Sequence, residues 1–116
     1  MKAHSLKDAL TGLPLMQFKT LSAFNDGTVG IFKAEAGISP WECHPQDDEL
    51  LYVIDGAVTL TVLPKAGPAQ STLVEKGAFF IVPKGLWHRH EIDDHLSELY
   101  LTPGPTEHSK ADDPRK

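Results

Sequence analysis

The chain has 116 residues, which is enough for one domain with one hydrophobic core. Its hydrophobic content of 41% and charged content of 23% are ordinary for a soluble globular protein. Eleven basic residues against sixteen acidic ones give a net charge of −5, which argues against nucleic acid or an anionic membrane as a partner.

The cysteine content and the apolar runs indicate the cellular compartment of the protein. The single cysteine, Cys43, cannot form an internal disulfide and fits a reducing compartment. No run approaches the ~20 apolar residues that a membrane span needs. The N-terminal residues also lack the apolar centre of a signal peptide. We therefore expect a cytoplasmic protein.

The first predicted element is a short helical turn near the N-terminus. Ser5 is a suitable N-cap for it, and Gly12 is a suitable stop. We expect residues 1–24 as a whole to pack on the following domain or to extend it.

Residues 25–102 alternate between β-type runs and turn residues. The runs cover residues 29–34, 50–54, 58–63, 71–74, 79–82 and 96–101. Short strands without a long helical pattern predict an all-β sandwich or barrel. Asp55-Gly56, between two of these runs, predicts a hairpin turn.

Two further segments carry expectations about packing. Residues 50–54, LLYVI, are apolar on both faces of a strand, so they need a cover on each side. The second cover is either the N-terminal segment or another subunit. Residues 103–116 contain three prolines and few apolar side chains, which predicts an extended or disordered tail.

Two short motifs hold the candidate metal ligands. HPQDDELLYVIDG, residues 44–56, contains His44 and Glu49, and GAFFIVPKGLWH, residues 77–88, ends on His88. Two imidazoles and a carboxylate suit Fe(II), Mn(II), Ni(II) or Zn(II). Such a set also leaves coordination positions open on one side of the ion.

The two motifs resemble those of the cupin superfamily, G-x5-H-x-H-x3,4-E-x6-G and G-x5-P-x-G-x2-H-x3-N. The resemblance covers residues 37–92. It implies a single-domain cupin jelly roll, which is a double-stranded β-helix. It further implies a divalent metal inside the barrel, held by His44, Glu49 and His88. A small-molecule ligand and a homodimer are implied as well.

The sequence departs from the family pattern at three points. Glu42 stands where the family has its first histidine, and the spacing from Gly37 to it is one residue short. Ile92 stands where the second motif ends in asparagine. We therefore expect a subfamily with a glutamate in place of the first motif histidine.

Glu42 and His90 have open roles. Alternation along a strand places Glu42 on the same face as His44, and His90 on the same face as His88. Glu42 is a fourth metal ligand, a group that supports the ligands or transfers protons, or a surface residue. His90 replaces the absent histidine ligand, binds the substrate, or is a plain hydrogen-bonded histidine.

The remaining candidates are apolar. Leu51, Val53, Leu60 and Phe79 are expected in the core, with some of them lining a substrate pocket. A second set lies on the opposite face from the ligands and is either a subunit interface or packing under the N-terminal segment. That set is Trp41, Cys43 and Trp87.

The motifs support two classes of function. One is a metal-dependent enzyme that carries out an isomerase-like or dioxygenase-like reaction on a small polar molecule, with Glu42 as acid or base. The other is a non-catalytic binding module, such as a ligand sensor or a metal-dependent stress or storage protein. A fold alone does not distinguish between them.

Overall fold

The structure is a computed structural model that describes all 116 residues. Helix α1 spans Leu6–Leu10, and its N-cap Ser5 accepts a hydrogen bond from the backbone N–H of Asp8. No helix has the length and apolar character needed to cross a bilayer. The eight strands are β1 Lys19–Phe24, β2 Gly27–Ile38, β3 Trp41–Cys43, β4 Glu49–Leu63, β5 Gln70–Glu75, β6 Phe79–Val82, β7 Trp87–Thr102 and β8 Glu107–Ser109.

The strands form a curled antiparallel sheet around one core. The order along the main path is β1-β2-β7-β3-β8, and β4 pairs with β5, β6 and β7. The 16-residue strand β7 therefore pairs with β2, β3 and β4 and joins the two halves of the sheet. The all-β prediction is confirmed.

The core results from the period-two alternation of the long strands. In β4, Glu49, Leu51 and Val53 are buried, while the residues between them are half-buried. Side chains from four other strands, β2, β5, β6 and β7, meet this row. The apolar cluster consists of Phe32, Ala34, Leu51, Val53, Val58, Leu60, Val74, Val82, Leu96 and Tyr100.

The predicted hairpin at Asp55-Gly56 is wrong. Strand β4 continues through this point, and its register against β7 shifts between Val53 and Asp55 and again between Gly56 and Thr59. Gly56 has a φ of +78°. Tight hairpin turns and some β-bulges both require a positive φ, so the sequence pattern could not distinguish a bulge in a continuous strand from a turn.

The N-terminal segment does not provide the second cover of LLYVI. It lies along β2, where the backbone N–H of Met16 donates to the carbonyl oxygen of Lys33. On the outer face, Leu50 and Tyr52 pair with Ile81 and Phe79 of β6. These four side chains form an apolar outer face that the chain itself leaves largely open, since Phe79 is 59% exposed and Ile81 43% exposed.

The tail is more structured than its composition indicates. Strand β8 pairs with β3, in register at Glu42 and His108. Further along, the Arg115 guanidinium donates to the carbonyl oxygens of Pro64 and Gly67, at 2.8 Å each. Backbone pairing and one arginine hold the tail with little apolar burial, so composition could not predict its placement.

Candidate metal centre

Three buried side chains from three places in the chain meet inside the barrel. His44 follows β3, Glu49 begins β4, and His88 is the second residue of β7. Glu49 Oε2 lies 3.2 Å from His44 Nε2, and Glu49 Oε1 lies 3.1 Å from His88 Nε2. The motif spacing therefore leads to one constellation.

Glu42 belongs to the same cluster at its more exposed side. Its Oε2 lies 4.0 Å from His88 Nε2, and one third of its side chain is exposed. One ligand atom each from Glu42, His44 and His88 can be chosen so that all lie within 4.8 Å of one another. The structure thus brings all four motif candidates to one point.

The donor atoms fit a divalent ion. Nε2 of His44, Nε2 of His88 and Oε1 of Glu49 are fully enclosed and have no hydrogen bond of acceptable geometry, although they lie close together. Buried polar atoms are nearly always satisfied, so such a group indicates a missing partner. Imidazole and carboxylate donors suit Fe(II), Mn(II), Ni(II) and Zn(II). Nδ1 of His88 is also unpartnered.

Residues near the C-terminus position the ligands. Thr106 Oγ1 lies 3.0 Å from His44 Nδ1, which leaves Nε2 as the free nitrogen. The Thr102 hydroxyl donates to Glu49 Oε2, and His108 Nε2 lies 3.6 Å from Glu42 Oε1. No pattern in the sequence indicates these contacts, because only strand pairing brings residues 102–108 back to the site.

The charges at the centre keep Glu49 ionised. Burial acts to raise the pKa of Glu49, but the adjacent imidazoles of His44 and His88 outweigh it and hold the pKa at about 2. Burial acts to lower the pKa of His44, and the Glu49 carboxylate outweighs that effect and raises it. Glu49 is therefore a carboxylate, which is the form that binds a metal.

Glu42, His44 and Glu49 of this cluster line a cavity of about 500 Å³, and His88 does not. Three aromatic rings form part of its wall: the Phe32 ring centroid lies 4.8 Å from that of Phe18 and 6.3 Å from that of Tyr100. Leu51 also lines the cavity. The cavity thus combines a polar metal-binding region with an apolar aromatic wall.

His90 lines this cavity, but Glu98 engages one of its nitrogens. His90 Nε2 lies 3.0 Å from both carboxylate oxygens of the fully buried Glu98. Burial acts to lower the pKa of His90, and the charge of Glu98 outweighs it and raises the pKa. The short contacts to Glu98 favour a hydrogen-bonding role for His90 over that of a replacement metal ligand.

The other predicted pocket residues lie elsewhere. Val53 and Leu60 are fully buried in the core and do not line the cavity. Phe79 points outward, because Phe80 and Val82 are the residues of β6 that face the core. The prediction assigned the two faces of this short strand the wrong way round.

The aromatic residues opposite the ligands pack within the chain. Trp41 is buried, and the Arg89 guanidinium lies 4.4 Å from the centre of its ring. Cys43 is buried as well, and burial and the nearby Glu107 raise the pKa of its thiol. Trp87 is half-buried. Packing therefore accounts for Trp41 and Cys43 without an interface.

Fold and centre together define a small all-β barrel with a candidate metal site beside a cavity. The family model described as "Cupin domain" matches residues 29–101. The chain belongs to this family.

Relatives by sequence include two germin-like proteins of Arabidopsis thaliana. Subfamily 2 member 4 is 25% identical over 91 residues, 78% of this chain and 41% of its own length. Subfamily 2 member 3 is 30% identical over 84 residues, 72% of this chain and 38% of its own length. The chain therefore spans about two fifths of these relatives.

Solved structures with the same fold include three informative examples. A cupin-2 domain protein of Shewanella frigidimarina has a TM-score of 0.73 at 19% identity, covering 87% of this chain and 94% of its own. A hydroquinone 1,2-dioxygenase in complex with Cd²⁺ and 4-hydroxybenzonitrile has a TM-score of 0.66 at 20% identity, and the match covers 85% of this chain and 70% of that chain. An oxalate oxidase in complex with glycolate has a TM-score of 0.62 at 19% identity, and the match covers 72% of this chain and 46% of that chain. These likenesses show the jelly-roll fold.

Proposed function

We propose that this cupin is a metal-dependent enzyme that carries out a dioxygenase-type reaction on a small molecule in the barrel. The observation that carries the proposal is the set of enclosed, unpartnered donor atoms of His44, Glu49 and His88, of which His44 and Glu49 line a cavity of about 500 Å³. Two proteins of the same fold, a hydroquinone 1,2-dioxygenase and an oxalate oxidase, support an oxidative reaction over the isomerase-like alternative.

The chain's own residues have distinct tasks in this proposal. His44, Glu49 and His88 would hold the ion, which would supply Lewis acidity when bound. Thr106 and Thr102 fix the orientation of His44 and Glu49. The aromatic wall excludes water from the ligand's body.

Glu42 is the residue whose task decides the chemistry. Its carboxylate lies at the more exposed side of the cluster and lines the cavity. In that position it serves either as a fourth donor to the ion or as the group that takes a proton from the bound molecule. The Glu42→Gln substitution separates the two roles, because an amide is a weaker ligand and cannot accept the proton. Lost metal affinity would identify Glu42 as a ligand. Retained metal with lost turnover would identify it as the proton acceptor.

Metal analysis tests the proposal directly. We expect about one equivalent of metal in wild-type protein after incubation with Mn, Fe, Ni or Zn, and none in His88→Ala. His95→Ala is the matched control, since His95 is an exposed histidine away from the cavity. Wild-type protein that stays metal-free with all four ions would overturn the metal site. Oxygen uptake with hydroquinone and with oxalate then tests the reaction type.

The second candidate function is a non-catalytic binding module. The position of Glu42 beside His88 favours it, because four protein ligands leave fewer open positions on an ion. Metal-loaded protein that binds small molecules without oxygen uptake or isomerisation would support this class.

We also propose a homodimer in the cytoplasm, and the open apolar face of β4 and β6 supports the dimer. Light scattering tests whether the protein is a dimer.

A further inference from the structure

The cavity contains a second polar feature besides the metal centre, the His90–Glu98 pair. Both residues line the cavity, and Glu98 is fully buried with both oxygens 3.0 Å from His90 Nε2. The backbone N–H of His90 donates to Ser39 Oγ, and the ring lies edge-on to Phe32 at 6.0 Å. These contacts fix the imidazole in one orientation.

One nitrogen of His90 remains free. Because Nε2 faces a buried carboxylate, it is the nitrogen that carries the proton in the neutral ring as well as in the charged one. Nδ1 has no protein partner and is not among the fully enclosed polar atoms. It accepts a hydrogen bond when the ring is neutral and donates one when the ring is charged. A hydroxyl group is the ligand group that suits both forms.

The charge of the cavity wall selects against anions. Four glutamates line the cavity, and no lysine or arginine does. The glutamates are Glu35, Glu42, Glu49 and Glu98. No lysine or arginine is therefore available to bind a carboxylate ligand, and several negative charges oppose it. The aromatic rings of Phe18, Phe32 and Tyr100 instead match a flat apolar body.

We propose that the cavity binds a neutral phenol, whose ring packs against Phe18, Phe32 and Tyr100 and whose hydroxyl bonds to His90 Nδ1. The proposal names the ligand class of the proposed enzyme and rests on that function for its catalytic meaning. The hydroxyl contact itself involves no metal, so metal-free protein can test it separately.

Three small probes of similar size test the proposal by calorimetry on metal-free and metal-loaded protein. They are p-cresol, toluene without a hydroxyl, and 4-methylbenzoate with a negative charge. We expect wild-type protein to bind p-cresol about tenfold more tightly than toluene, as one added hydrogen bond gives. We expect the weakest binding for 4-methylbenzoate in the metal-free form.

Two variants assign the contacts. His90→Phe keeps a ring but removes Nδ1, and we expect the ratio of p-cresol to toluene affinity to fall to about one. Phe18→Ala should weaken the binding of both p-cresol and toluene and leave the ratio of their affinities unchanged. Because Phe18 is 59% exposed, we expect this variant to fold. Should His90→Phe not fold, the Nδ1 resonance of wild-type His90 provides the readout, since p-cresol should shift it and toluene should not.

Opposite results would overturn the ligand class. They are equal binding of p-cresol and toluene, preference for 4-methylbenzoate in metal-free protein, an unchanged ratio in His90→Phe, or no probe bound. Failure of the proposed function looks different, because the preference for p-cresol would then persist in protein that binds no metal or takes up no oxygen. Metal binding and oxygen uptake without the preference would reject the phenol proposal alone.

Discussion

His44 shows how one threonine can determine which nitrogen of a histidine is offered to an ion. Its Nδ1 lies 3.0 Å from Thr106 Oγ1, and its Nε2 lies enclosed beside Glu49. A ring held at one nitrogen presents the other in a fixed direction. The orientation of this candidate ligand therefore depends on a residue 62 positions away in the chain.

We expect Thr106→Val to lower metal affinity by roughly 10–100-fold without unfolding the barrel, because the ring of His44 loses its orienting contact. Competition with a chelator measures this. Thr72→Val is the control, since Thr72 is an exposed strand threonine that does not line the cavity. Equal affinities for the two variants would show that Thr106 does not position His44.

At this scale the sequence predicted which candidate ligands lie together better than it predicted the residues that contact them. Glu42, His44, Glu49 and His88 were recognisable because alternation and motif spacing are local properties of the chain. The contacts of Thr106 and His108 are not local, because they depend on β8 pairing with β3. Phe79 was misplaced because residues 79–82, FFIV, are apolar throughout, so alternation gives no sign of which face is buried.

Among the elements, β4 depends on one glycine at its bulge. Gly56 combines a φ of +78° with a close approach, since a Cβ atom there would lie 2.1 Å from the backbone carbonyl oxygen of His95. Gly77 has a comparable φ of +87° but open space around it. An alanine at Gly77 would therefore meet backbone strain alone, and an alanine at Gly56 would meet both strain and a steric clash.

We expect Gly56→Ala to lower the free energy of unfolding by more than Gly77→Ala. Strain alone costs of order 1–3 kcal/mol, and only Gly56→Ala must also displace the backbone of β7. Urea denaturation of the two variants measures the difference. Equal losses would mean that the bulge can move away from His95 without cost.

The end of the tail carries an ion pair between Asp113 and Arg115, 2.9 Å apart. Hydrogen bonds from the side chain and backbone of Arg115 hold the pKa of Asp113 at about 2, below its ordinary 3.8. A lowered pKa in the folded chain means that the pair stabilises the fold fully above about pH 4 and loses this contribution as the pH falls through about 2.

We therefore expect Asp113→Asn to be less stable than wild type above about pH 4, with the difference vanishing near pH 2. Urea denaturation across this range measures it, with Asp112→Asn as the neighbouring control. A difference that stays constant down to pH 2 would contradict the assignment to the Asp113 carboxylate.

For the whole molecule, the candidate metal centre lies where the ends of several strands meet. Ligands and their supports come from β3, β4, β7 and β8, so an ion would join elements from both halves of the sheet. A ligand that binds only the folded chain stabilises it by about 2.7 kcal/mol at one hundred times its Kd.

We expect a saturating divalent ion to raise the Tm of the wild-type protein by roughly 10 °C, given the few degrees per kcal/mol typical of a domain this size. His88→Ala should show little or no increase. Thermal unfolding monitored by circular dichroism measures both. An equal increase in both proteins would indicate binding outside the centre.

At the scale of the whole fold, the sequence predicted an all-β barrel because short apolar runs and turn residues recur from residue 25 onward. It could not predict which strands pair. The central position of β7 depends on contacts with β2 and β4 that are distant in sequence, and no local pattern encodes them.

Strand β7 carries His88 and His90 on one side of its pleat, with Arg89 between them. In a strand, a slip of one residue turns every side chain to the opposite face. A molecule with β7 paired one position out of place would present Arg89 to the other ligands and would repel a cation. Under the proposed function, the metal content of a purified sample would therefore measure the fraction of correctly assembled molecules, and incomplete loading would indicate misfolded barrels as well as missing ions.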